Sequence, residues 1–366
     1  MLGFQECCDA ITYSDLGQIC LTRGYDACSL EYWPLGSLVL NALLHPYGLA
    51  PLSHALLLFF SFYMLALGPQ HVCSGKKLNL SNSLFFSNNK NSLLIFKKFI
   101  IKLIGAFFLL EFMFMGLASV NLTDVPGGVL AALAIIGFYR KNAVLFALSA
   151  GVSILIRAAY LYPMLVLVII FIFESLYLKN YKNIAYLASF FLCLVPQYIL
   201  TYRHLGEFSF LDPVKVEYWR NFHFGSNYAG YDTLLPAAGH PWTSGLPFGL
   251  AAMFEQQLWS DLLRLFLSRI DFYFSSFVPL GKVYLSTASE RIFSPVILLL
   301  HFAAGVCSYL YLKAKDGGWR VWIPLLIILA QSLVIIPEQR FIFLIQLFLA
   351  IFTYLYFLRS IEATTD

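Results

Sequence analysis

Of the 366 residues, 60% are hydrophobic and only 12% charged, and the mean hydropathy is +0.74. So few charges could not cover a soluble domain of this length, and long apolar runs recur from Leu35 to Leu358. The composition excludes a freely soluble enzyme and reads as an all-α polytopic membrane protein. A net charge of +4 is ordinary for a membrane protein with basic inside loops and gives no ground for a nucleic-acid partner.

Residues 1–35 carry Glu6, Asp9, Asp15, Arg23, Asp26 and Glu31 and read as an outward amino-terminal loop. Cys7, Cys8, Cys20 and Cys28 fall within it. There a disulfide such as Cys20 with Cys28 competes with a reading of unpaired, small apolar side chains, and no CxxC pair has metal spacing. Met1 to Asp15 is neither basic at its start nor apolar enough afterwards to be a cleavable signal peptide. A tail this charged is either carried across by the spans that follow or preceded by a first span missing from the chain; the second is the expectation.

Basic residues mark the gaps that follow: Lys76, Lys77, Lys90, Lys97 and Lys98, then Arg140-Lys141, Lys179 to Lys182, Lys313 to Arg320, and Arg359. The positive-inside rule makes these gaps cytoplasmic. Apolar segments near 50–70, 99–117, 126–139, 143–157, 161–178, 184–202, 293–312, 321–337 and 341–358 then give about nine transmembrane helices with the carboxyl terminus inside. Residues 36–202 form a block of transmembrane helices with a re-entrant or interfacial start, and 291–366 hold three more. Between them, 203–290 is an extracytoplasmic segment too long for a mere connector, and it reads as a lid. Within it, Trp259 to Val278 mixes Asp261, Arg264, Arg269 and Asp271 with Leu and Phe, the pattern of a helix lying in the interface.

Three outward places hold residue types that catalysis uses. Asp15 follows Tyr13-Ser14; Asp124 stands two residues before Pro126 at a span start; Glu338 and Arg340 flank the mouth of the last span. Carboxylates and an arginine at a membrane surface can activate an acceptor and hold an anionic leaving group. The plain readings are a solvated tail acid, an N-terminal capping carboxylate and an interfacial ion pair. Arg157 ends the apolar run Leu145 to Ile156 on the side where positive charge is disfavoured, so it reads as a ligand for phosphate or carboxylate, or else as the partner of Asp124. In the long segment Arg220, His223 and Trp242 are substrate-loop candidates, with aromatic faces on which a sugar could stack or that anchor an interface.

Taken in order, Asp15, Trp33-Pro34-Leu35, Thr123-Asp124-Val125-Pro126, Ile156-Arg157, Val195-Pro196-Gln197 and Glu338-Gln339-Arg340-Phe341 resemble the multi-spanning glycosyltransferases of the GT-C fold, in the branch of protein O-mannosyltransferases and aminoarabinose transferases. The resemblance covers most of the chain from about Asp15 to Phe357 on short, degenerate motifs. It implies a GT-C-like fold and an enzyme that moves a sugar from a polyprenyl-phosphate donor to a lipid, glycan or protein acceptor on the extracytoplasmic side, with inversion. It makes Asp15 the first-loop general base, and places Asp124 near the acceptor or a divalent ion such as Mg or Mn. Arg157 and Arg340 become the carrier-phosphate ligands. The family often pairs two acids in its first loop, where here Asp15 stands beside Ser14.

Two rival functions fit the same span pattern. A transporter or flippase also uses many spans with Gly and Pro interruptions, but would want ionisable groups in mid-membrane, whereas Glu111 and Glu174 lie near span ends and Lys102 near the inner surface. An O-antigen polymerase or ligase would use the outward cations Arg203, His204, Arg220, His223 and His240.

Overall fold

The computed structural model describes residues 8–24, 27, 34–44, 124–214, 216–217, 250–275, 294–313, 318–334 and 343–363. Among them every regular element is helical. The α-helices in chain order are α1 (Cys8–Arg23), α2 (Leu35–Leu44), α3 (Asp124–Tyr139), α4 (Ala143–Ile156), α5 (Leu161–Tyr177), α6 (Tyr181–Leu205), α7 (Leu250–Glu255), α8 (Trp259–Ser275), α9 (Ser294–Lys313), α10 (Gly318–Val334) and α11 (Phe343–Ala363), with a 3-10 turn at Ala158–Tyr160 between α4 and α5. The spans expected near 50–70 and 99–117 lie outside the described residues.

Two of the basic gaps are the same turn. Lys141 and Lys179 both take the left-handed conformation, each with φ of 55°. After α3, the amide of Asn142 donates to the Gly137 carbonyl at 2.9 Å and that of Lys141 to Phe138 at 3.2 Å; after α5, Asn180 donates to Ser175 at 2.8 Å and Lys179 to Leu176 at 3.0 Å. These paired bonds close the last carbonyls of each helix as a Schellman motif. The next residue restarts the chain as a helix: Asn142 caps α4, its side chain accepting from the Leu145 amide at 3.1 Å. Lys141 also reaches Glu174 on α5 at 3.3 Å, so both lysine turns share one end of the bundle. With α3–α4 and α5–α6 both doubling back there, Asp124, Arg157 and Leu205 belong to the other end.

The two hairpins interlock through aromatic side chains. Phe146 of α4 stacks on Phe171 of α5 with ring centroids 5.2 Å apart, and Phe138 of α3 meets both edge-on. A single apolar core runs from these helices into α9, α10 and α11, taking in Leu38 of α2 and Tyr273 of α8.

Among the described residues two helical stretches, Ala158–Tyr177 and Tyr181–Leu205, are long and apolar enough to cross a membrane. Of their apolar windows 39% and 33% is buried, and the rest of each window faces outward. Phe173 and Leu192 are each 67% exposed. Helices α3, α4, α9, α10 and α11 contain shorter apolar stretches.

Candidate active site

Arg157 occupies the break between α4 and the 3-10 turn. Its backbone is extended, its amide still donates to the Ser153 carbonyl at 2.8 Å, and its carbonyl accepts from Tyr160 at 3.1 Å. The chain therefore reverses direction within a corner, and the arginine side chain emerges from that corner into the protein, 8% exposed. It lies on the first turn of α3. A Cβ added at Gly127 would stand 2.9 Å from the Arg157 Cβ, 3.7 Å from its Cδ and 3.4 Å from Cε2 of Tyr160, so this contact needs the bare backbone of glycine. Asp124 opens that helix one turn before Gly127. Two of the sequence candidates, Asp124 and Arg157, thus belong to adjoining pieces of one bundle end.

Other helices converge on the same corner. Gly36, in the first turn of α2, sits where a Cβ would be 2.7 Å from the Leu155 carbonyl, two residues before Arg157. The Leu35 amide, which has no partner within its own helix, donates to Oε1 of Gln197 on α6 at 2.7 Å. That bond fixes which end of the Gln197 amide is oxygen. Its Nε2 is fully buried and has no hydrogen-bond partner among the described residues, at a cost of about 1–3 kcal/mol.

From the opposite side comes α10. Gln331 donates its Nε2 to the Ala159 carbonyl at 2.5 Å. Sequence explains the need: the residue four positions after Ala159 is Pro163, which has no N–H to offer that carbonyl. Once Nε2 is committed, Oε1 of Gln331 is left as a buried acceptor with no partner among the described residues. The end of α10 is itself held by α8, where Arg269 donates through Nη1 to the Leu333 carbonyl and the Tyr273 hydroxyl donates to the Ser332 carbonyl at 2.9 Å. Both acceptors are among the last carbonyls of α10, which a helix leaves open, and a guanidinium suits the negative end of its dipole.

Asp15 is elsewhere. It stands on the exposed face of α1, in a helix rather than in the open tail read from the sequence. Gly17 lies against Leu38 and Ala42 while Cys20, a turn later, is in the cluster with Leu35 and Val39, so α1 runs antiparallel to α2; Gln18 donates to the Ala42 carbonyl at 2.8 Å. That course carries Asp15 toward the far end of α2, away from the Leu35 end that meets Arg157. Cys20, buried beside Leu200, is disulfide-bonded to a cysteine whose side chain is not described, while Cys193 and Cys307 are free thiols. Glu338, Arg340, Arg220, His223 and Trp242 lie outside the described residues. Among the described residues no group of three or more His, Cys, Asp or Glu side chains is placed to hold a metal ion.

The residues that sequence reasoning missed are Arg269, Tyr273 and Gln331. The segment holding Arg269 was read as an interfacial helix, and α8 does keep Trp259, Leu263 and Leu267 exposed. Yet Arg269 is fully buried. The signal was there in the spacing, since Leu262, Leu265, Arg269 and Tyr273 fall on one helical stripe and put a cation in an apolar row. Gln331 is likewise the one amide in the apolar run Leu325 to Val334.

No protein-family model matches the chain, nor does any curated protein or any solved structure.

Proposed function

We propose that this chain is an integral membrane glycosyltransferase of the GT-C type, with about nine spans, that transfers a sugar from a polyprenyl-phosphate carrier to an acceptor on the extracytoplasmic side. The observation that carries the reading is Arg157, an arginine enclosed at a bundle corner against the start of the helix that Asp124 opens. A polyprenyl-phosphate donor leaves as an anion, so its departure needs a cation at the phosphate and a carboxylate to take the proton from the acceptor hydroxyl. Arg157 is cast as the phosphate ligand, joined by Arg340, and Asp124 as the base. The position of Asp15 on an exposed face of α1 moves the base role from it to Asp124. Direct displacement by the deprotonated hydroxyl inverts the anomeric centre. The exposed apolar surfaces of α5 and α6 suit a carrier that arrives through a bilayer.

The deciding experiment is transfer of labelled sugar from a polyprenyl-phosphate donor by purified protein. Wild type is expected to transfer, and Asp124→Asn and Arg157→Ala to fail; both variants working at the wild-type rate would overturn the assignment.

A transporter or flippase is the second reading, and one observation favours it. His301, midway along α9 and buried, lies 3.5 Å from Nε2 of Gln346 on α11 and edge-on to Phe274 of α8, a polar pair inside an apolar bundle.

A further inference from the structure

We propose that Gln331 is a positioning residue for the anion grip of Arg157, tying α10 to the corner from which the arginine projects. The inference rests on the glycosyltransferase reading above and deepens it. Its basis is a chain of bonds. Arg269 and Tyr273 hold the last carbonyls of α10, and Gln331, in that same last turn, holds the Ala159 carbonyl two residues beyond Arg157. The corner itself is a three-residue 3-10 turn, and Pro163 removes the amide that would otherwise secure the Ala159 carbonyl from within α5. The path of the backbone just after Arg157 is therefore set from outside its own helix. An arginine fork must meet a phosphate at defined distances and angles, so a corner free to shift loses affinity even with the guanidinium intact.

A carbonyl satisfied for stability and an arginine held for binding are separable. In Gln331→Met the side chain keeps its bulk and loses the donor. In Gln331→Met combined with Pro163→Ala, α5 regains an amide of its own for the Ala159 carbonyl, but the tie to α10 stays broken.

The test measures binding of a polyprenyl monophosphate to the purified full chain, alongside its thermal melting. Gln331→Met is expected to weaken that binding about tenfold, and adding Pro163→Ala to restore the melting temperature without restoring the affinity. In an Arg157→Ala background, Gln331→Met is expected to change the remaining binding less than twofold, because the two residues act as one unit. Affinity that returns with stability, or that never depended on Gln331, overturns the inference and leaves the function standing. A wild type that binds no polyprenyl monophosphate overturns the function, and the inference with it. If Gln331→Met does not fold, Gln331→Asn keeps the donor but shortens its reach, and wild-type affinity in that variant counts against the proposal equally.

Discussion

The stem of Arg157 rests directly on the backbone of Gly127, so the break after α4 and the first turn of α3 are in contact with no side chain between them. The arginine can project inward only because the α3 position it crosses has no Cβ.

Gly127→Ala is therefore expected to push on the near end of Arg157, its Cβ, which cannot swing aside as a flexible tip would. Overpacking of this kind costs about 1–3 kcal/mol. Thermal melting of the purified variant should fall, and sugar transfer should fall further than the lost stability explains. Wild-type melting together with wild-type transfer would show that the contact does not constrain the site.

Asp124→Asn keeps the size of the side chain and removes its charge. As the general base it should lower turnover by about 10²-fold or more, with melting nearly unchanged. Turnover within threefold of wild type would remove Asp124 from the reaction.

The two lysine turns bear on orientation. Cysteines placed at Lys141 and Lys179 are expected to react with an impermeant maleimide from the same side as ones at Ser81 and Lys315, and a cysteine at Ser226 only from the opposite side. Labelling of Ser226→Cys from the cytoplasm would reverse the arrangement and turn the Arg157 corner inward.

Those turns also make a stability prediction. A lysine in the left-handed region is strained by about 1 kcal/mol relative to glycine. Lys179→Gly is expected to raise the melting temperature. Lys141→Gly should gain less, because it gives up the half-exposed contact with Glu174, itself worth at most about 1 kcal/mol. A drop in both would mean that the lysine side chains contribute more than the backbone strain costs.

Much of the fold could be read from the gaps between charges. The Arg140-Lys141 pair and the Lys179 to Lys182 cluster stand where α3 gives way to α4 and α5 to α6, and the helices begin and end within a few residues of the apolar runs. Such boundaries are legible because a charge in an apolar run is costly whatever the tertiary structure. The helical state of residues 8–23 was not legible, since their mixed polar pattern owes its order to packing on α2. Arg269 was legible as a residue of an amphipathic helix but not as a buried one, because only the open carbonyls of α10 decide which edge of the stripe it occupies. Asp124 and Arg157 were singled out separately. Their sharing of one bundle end depends on α3 and α4 doubling back at the other, a property of the Lys141 turn rather than of either candidate.

The shortness of α4 has a consequence for the acceptor. Its 14 residues rise about 21 Å, against a hydrocarbon layer of about 30 Å. In a bilayer, a helix of that length starting at the basic face ends several ångströms short of the far surface, and the chain turns back at once instead of continuing outward. On the proposed topology, Arg157 would then lie below the water line. If the proposed transfer is right, an acceptor hydroxyl would have to descend to the carrier phosphate. Such a descent would favour a slender or membrane-tethered acceptor over a hydroxyl on a broad, folded protein surface.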